Sequence, residues 1–189
     1  MKHQVHLKWL SALADVEAHR IVDLVEGTTL EGATLGYAER MSIDEAEAFI
    51  AELSYRIAKG QTLALVGIDG SNLVFFCMMT RNPMPNCRHR AELSKGVVHP
   101  DYRGQNIIPH AFREIVLKAE SLGIDQLVLD VRAGSRAHLL WQRFGFKSYG
   151  VLDDYARVGD EVYRGHFLVQ PVCSLRKHVF QDSSSMESS

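Results

Sequence analysis

Several things are scarce in this 189-residue chain, and each scarcity removes a class of function. There are three cysteines, Cys77, Cys87 and Cys173, odd in number, widely spaced and forming no C-x-x-C pair. A disulfide framework is therefore not expected, and a reducing, cytoplasmic setting is. No charge of one sign dominates: 21 Lys and Arg stand against 23 Asp and Glu, a formal net charge of −2. That balance argues against broad electrostatic binding to nucleic acid or to an anionic membrane. No apolar run approaches the ~20 residues that span a bilayer. The first twenty residues, "MKHQVHLKWLSALADVEAHR", carry charges throughout and lack the apolar centre of a signal peptide. His3 and His6 lie three apart, but no carboxylate or cysteine cluster accompanies them, so no metal site is expected.

Glycine is missing where it would be most informative. The stretch "VVHPDYRGQNIIPHAF", residues 97–112, reads as a strand that ends at a proline, turns through Arg-Gly and enters a helix. A turn of this kind places backbone N–H groups and a helix dipole at one spot, which suits a phosphate. Such turns usually hold more than the single Gly104. Asn106 is the next most tolerant residue for left-handed backbone. Pro109 lacks an N–H, and its best place is the first helical position, so the helix is expected to start there. Ile108 is the misfit, because a β-branched residue resists positive φ and close approach of a ligand. On geometry alone, an anion loop and a plain connection both stay open.

What is present is ordinary for a globular protein: 46% hydrophobic and 23% charged residues. One domain over residues 1–173 is expected, then a tail over 174–189 that is disordered at its end. A helix runs over residues 15–26 and stops at Gly27, and residues 28–41 form a loop. "SIDE" at 42–45 is a capping box opening a helix with Ala46, Phe49, Ile50, Leu53 and Ile57 on one face and Gly60 as its stop. "QTLALVGI" and "NLVFFCMMT" are strands joined by the hairpin signal "DGSN". Pro83 and Pro85 make residues 81–89 a loop. "RAELSKGVV" is a strand with a glycine near its end, which suits a bulge or splay. After the turn, Ile108, Ala111, Phe112, Ile115, Val116, Ala119 and Leu122 form an apolar stripe closed by Gly123. "QLVLDV" reads as a buried strand. A short helix follows with Ala137, Leu140, Trp141 and Phe144 on one face, and "FKSYGVL" and "VYRGHFLVQPV" are closing strands. The fold class is α/β (α+β): a mostly antiparallel mixed sheet with one strand–helix–strand crossover and helices on both faces.

The segments "AELSKGVVHPDYRGQNI" and "LVLDVRAGSRAHLLWQRFGF" resemble the GNAT family of acetyl-CoA-dependent N-acetyltransferases. The family's turn pattern is V-x-P-x-x-R-G-x-G-x-G/A, matched here by Val98, Pro100, Arg103 and Gly104. Its helix end, A-x-x-L-Y-x-x-x-G-F, is matched by Ala137, Leu140, Gly145 and Phe146. The order of elements agrees from about residue 5 to residue 170. "GATLGYAERMSIDEA", "HRAELSKGVV" and "RAGSRA" are further similar to the tabtoxin-resistance type, which acetylates a small amino-acid-like toxin. The chain departs from the family at Asn106 and Ile108, which replace glycines. It also departs at Gly134, where many members have Asn, and at Trp141, which often is the Tyr that protonates the leaving thiolate. A Trp indole cannot act as a general acid near neutral pH.

The resemblance implies acetyl-CoA as cosubstrate. Val97 and Val98 would offer backbone groups to the pantetheine arm, with the Val98 amide as oxyanion donor. Arg103, Gly104, Gln105, Asn106, Ile107 and Ile108 would take the pyrophosphate, and Trp141 would pack beside the thioester. Glu92, on the same strand, is the candidate base that takes a proton from the amine through water; its alternative is a solvent-facing strand residue. His138 and Tyr155 are substitute acids for the thiolate, although a solvated helix histidine is the preferred reading of His138. Residues 28–41 would wall the acceptor pocket, where Tyr37 and Glu39 could meet an amine. The leading function is N-acetylation of a small-molecule amine, with a protein or peptide acceptor as an alternative. A catalytically silent acyl-CoA-binding domain is the third reading. A homodimer is kept as an alternative to a monomer.

Overall fold

The structure, a computed structural model, describes residues 4–30 and 40–181. Tyr37, Glu39 and the tail from residue 182 onward lie outside the described residues. The chain divides into two compact units, both discontinuous in sequence: Met1–Arg81 with Leu93–Ile108, and Asn82–Glu92 with Pro109–Ser189.

In the first unit, β1 (His6–Trp9) pairs antiparallel with β2 (Thr62–Asp69), and β2 pairs antiparallel with β3 (Asn72–Arg81) across the predicted hairpin. Helix α1 (Asp15–Leu30) passes through Gly27 instead of stopping there, so the expected loop from residue 28 begins later. A glycine inside a helix costs only about 1 kcal/mol. The next residue, Thr28, is buried and returns its hydroxyl to the Leu24 carbonyl at 2.8 Å. Helix α2 (Ile43–Ala58) has the capping box intact: the Ser42 hydroxyl accepts from the Glu45 amide, and the Glu45 carboxylate accepts from the Ser42 amide at 2.8 Å. Ile21 and Val25 of α1, Leu53 and Ile57 of α2, Ala64 and Val66 of β2, and Phe76 of β3 share one apolar core.

The second unit holds the start of β4 (Arg90–Val98), then β5 (Gln126–Arg132), β6 (Lys147–Val158) and β7 (Glu161–Pro171). Strand β4 pairs with β5 in parallel over Arg90↔Gln126, Ala91↔Leu127 and Glu92↔Val128. Strands β5 and β6 each pair antiparallel with β7. Strand to strand, the order is β1-β2-β3-β4-β5-β7-β6, the mixed and mostly antiparallel sheet that the sequence pattern called for. Helix α3 (Ile107–Ser121) forms the crossover, and α4 (Arg136–Arg143) follows β5. Phe112 of α3 packs on Phe144 at 4.4 Å between ring centroids, a burial of the kind worth about 1.5–3 kcal/mol.

Three expectations change here. Strand β5 is not buried on both faces: Leu127, Leu129 and Val131 are buried, while Asp130 on the other face is exposed. Strand β6 runs on to Val158, with its register against β7 shifting between Leu152 and Ala156. Residues 174–181 are not a free tail. They continue helix α5 (Val172–Gln181), which buries Val172, Leu175 and Val179 at spacings of three and four. Among the described residues, no helix is long and apolar enough to cross a membrane.

Candidate active site

In the first unit, Val97 and Val98 close β4, with the Val97 side chain buried and Val98 half-buried. The irregular backbone lies one residue before Gly96, at Lys95, whose φ is 54°. The strand is then held at its end by the His99 amide donating to the Val74 carbonyl at 2.8 Å. A short 3-10 turn, Pro100–Tyr102, follows. Tyr102 anchors it: the ring is buried and the hydroxyl donates to the Asp69 carboxylate at 2.8 Å, which raises the Tyr102 pKa.

Arg103, Gly104, Gln105 and Asn106 are all exposed. Gly104 has φ of 77° and Asn106 of 58°, so the asparagine does take the left-handed backbone that the sequence assigned to it. Two details differ from expectation. The Arg103 amide donates to the Pro100 carbonyl at 3.2 Å and is committed to the turn. The helix starts at Ile107, not at Pro109. Ile107 turns its side chain into the protein, Ile108 is an ordinary helical residue, and Pro109 sits in the first turn, where its missing N–H has no intrahelical partner to lose. The misfit at Ile108 therefore disappears, because that position never needs positive φ. Gln105 steadies the turn through its amide nitrogen, which donates to the Asp101 carbonyl at 2.9 Å. A Cβ at Gly104 would meet nothing within 4 Å, so the backbone there stands open to a ligand. This exposed, left-handed turn at a helix N-terminus fits a pyrophosphate.

In the second unit, Glu92 is exposed on β4, and its pairing partner is Val128. Side chains alternate across a strand, so Asp130, two residues beyond Val128, shares the face of Glu92. The sequence reading missed Asp130, although a carboxylate inside the apolar run "LVLDV" marked an exposed position. Tyr155, in the shifted segment of β6, donates its hydroxyl to the Asp130 carboxylate. Burial, then that bond, then the charges of Asp130 and Glu92 push the Tyr155 pKa far above its ordinary 10. A general acid works best with a pKa near the operating pH, so Tyr155 is a poor source of a proton for a thiolate.

Trp141 is half-buried, edge-on to Phe112 at 5.4 Å and to Phe146 at 5.0 Å. Its recorded ring contacts are with these two aromatic side chains. His138 is not a solvated helix residue: it is the buried side chain of α4, while Ala137, placed on the buried face by the sequence reading, is exposed.

Comparison with known proteins bears on the family and the fold. The model of the acetyltransferase (GNAT) family matches residues 27–146, more than half of the chain. An N-acetyltransferase from Staphylococcus aureus shares the fold with a TM-score of 0.72 at 18% identity, over 89% of this chain and 99% of that one. A ribosomal-protein-alanine N-acetyltransferase from Brucella melitensis gives 0.71 at 18% identity, over 88% and 99%. A protein of Salmonella typhimurium solved with acetyl-CoA gives 0.71 at 14% identity, over 89% and 94%. The chain is a member of the acetyltransferase (GNAT) family, and so an acyltransferase.

Proposed function

We propose that the protein moves an acetyl group from acetyl-CoA to a primary amine of a small molecule. The observation that carries this reading is the turn after β4, where Gly104 and Asn106 hold left-handed backbone open to solvent at the start of α3. The amides of Gly104, Gln105 and Asn106, with those of Ile107 and Ile108 in the first helical turn, would hold the pyrophosphate. Arg103 would add its guanidinium, since its own amide is occupied. Backbone groups of Val97 and Val98 would align the pantetheine arm, and, as the family resemblance implies, Trp141 would pack beside the thioester.

Bound acetyl-CoA supplies an activated thioester carbonyl. The Val98 amide is the proposed donor to that oxygen as it gains negative charge, a contact typically worth a few kcal/mol. An alkyl amine with pKa near 10 is protonated at pH 7 and must lose a proton before it attacks. Glu92 is the proposed acceptor of that proton through a water molecule. Asp130 shares its face and is held by Tyr155, so the two carboxylates present negative potential to an incoming ammonium group. Trp141 cannot donate a proton to the departing thiolate, which would take one from solvent.

The silent-binder reading drew on Trp141, Asn106 and Ile108; Ile108 is helical and needs no positive φ, so that one ground falls away. The protein is proposed to be cytoplasmic; a homodimer adds nothing to the chemistry derived above. The reading is tested by thermal stabilisation. Acetyl-CoA at a hundredfold excess over its Kd should add about 2.7 kcal/mol to folded-state stability and raise Tm. An unchanged Tm at millimolar acetyl-CoA would overturn it.

A further inference from the structure

Helix α2 opens with the capping box S-x-x-E. Helix α4 opens with the same spacing but a histidine in the fourth place: Ser135, Arg136, Ala137, His138. The Ser135 hydroxyl accepts from the His138 amide at 3.1 Å. The His138 ring answers by accepting from the Gly134 amide at Nδ1, at 3.2 Å. An imidazole thus does for the turn before α4 what a carboxylate does for α2. The difference is chemical. A carboxylate remains an acceptor down to about pH 4, whereas a protonated imidazole is a donor at both nitrogens.

Accepting at Nδ1 leaves the His138 proton on Nε2. That nitrogen is buried without a hydrogen-bond partner, and the residue as a whole is 7% exposed. The ring stacks on His166 of β7, with centroids 4.5 Å apart and planes 26° from parallel. From β6, Ser148 reaches His166 Nδ1 at 3.0 Å and donates to the Gly150 carbonyl at 3.1 Å. From β5, Arg132 offers its carbonyl to the Ser135 hydroxyl at 2.8 Å, while its guanidinium lies 4.6 Å from the centre of the Tyr163 ring. None of these groups is a carboxylate able to balance a positive His138.

A proton on Nδ1 would face the Gly134 N–H, donor against donor. The charge would sit in the first turn of α4, where the helix dipole disfavours a cation. It would also be buried against a second imidazole. Burial, and then His166, hold the His138 pKa below its ordinary 6.5.

We infer that His138 is a pH-sensitive clamp: neutral, it fixes the β5–α4 turn and Trp141 one helical turn on, and protonated, it releases them. The sign follows from linkage. A histidine with a depressed folded-state pKa contributes stability above its unfolded value of about 6.5, and that contribution is lost as pH falls through the lower folded value. The clamp acts on the site proposed above, but the clamp and that reading fail separately.

The test is an NMR titration of the folded wild-type protein from pH 8 to pH 5. It follows the His138 ring, the Gly134 amide and the Trp141 indole. The clamp predicts a His138 midpoint below 6.5, shared by the Gly134 and Trp141 signals. It also predicts at least a tenfold loss of Gly134 exchange protection across that midpoint. In His138→Gln, whose side-chain oxygen accepts but gains no charge, both responses should vanish. A Gly134 amide indifferent to the titration of His138 would overturn the clamp. So would a His138 midpoint at or above 6.5, or an unchanged Trp141 step in His138→Gln. If acetyl-CoA binds at neutral pH, its affinity should fall through the same midpoint in the wild type only. If it binds at no pH, the proposed function fails while the clamp is judged on the NMR alone.

Discussion

The ring of Tyr155 lies directly against Gly165 of β7: a Cβ on Gly165 would overlap the Cβ, Cγ and Cδ2 atoms of the tyrosine. That glycine is what lets the shifted segment of β6 fold down and bring the Tyr155 hydroxyl to Asp130. Gly165→Ala should therefore displace the ring, with an overpacking cost of about 1–3 kcal/mol in urea unfolding. Tyr155→Phe keeps the ring and removes only the hydroxyl. If the Tyr155–Asp130 pair shapes the acceptor side, both variants raise KM for the amine more than they lower kcat. A fall in kcat with KM unchanged would remove the pair from acceptor binding.

Glu92 is expected to act as a base. Glu92→Gln should lower kcat/KM by about a hundredfold, within the usual range for a lost general base. The remaining activity should climb as pH rises toward the amine's own pKa near 10, moving the profile to higher pH. A variant with wild-type rate and profile would leave Glu92 as a surface residue.

The turn can be probed without touching a side-chain contact. Gly104 has φ of 77° in open space, so Gly104→Ala imposes backbone strain of about 1–2 kcal/mol and no clash. Calorimetry should show acetyl-CoA affinity lowered about tenfold. Asn106→Gly, at φ of 58°, relieves strain and should bind acetyl-CoA as well as the wild type or better. A large loss there would mean that the Asn106 side chain itself touches the cosubstrate.

Thiol chemistry gives a check on the fold that also matters for any assay reading released CoA. Cys77 is fully enclosed on β3, and burial pushes its thiol up to about 12, whereas Cys173 is exposed and Cys87 partly so. Thiolates, not thiols, react with disulfide reagents. Native protein should therefore titrate two thiols readily, and the third only on unfolding. Three fast thiols in the native state would contradict the placement of Cys77.

Much of this was legible in sequence because local chemistry decided it. The capping box at Ser42 and Glu45, the hairpin at 69–72 and the left-handed Asn106 need only their neighbours. The errors came where tertiary packing overrode a local signal. Gly27 looked like a stop, but α1 continues past it, and Thr28, buried one residue on, returns its hydroxyl to the Leu24 carbonyl. Pro109 looked like a first helical residue, yet the burial of Ile107 begins α3 two residues sooner. His138 looked solvated because a histidine on a polar-looking helix usually is; its burial depends on His166, 28 positions away and invisible to helical periodicity. Asp130 could have been found from alternation alone, since a lone carboxylate in an apolar strand marks the open face.

The most direct measurement is turnover itself. The protein is incubated with acetyl-CoA and a panel of small primary amines, and both released CoA thiol and acetylated product are followed against a no-amine control. The account predicts thiol release that depends on the amine, matched mole for mole by N-acetyl product, and lost in Glu92→Gln. Acetyl-CoA binding without amine-dependent release across the panel would contradict the proposed small-molecule acceptor.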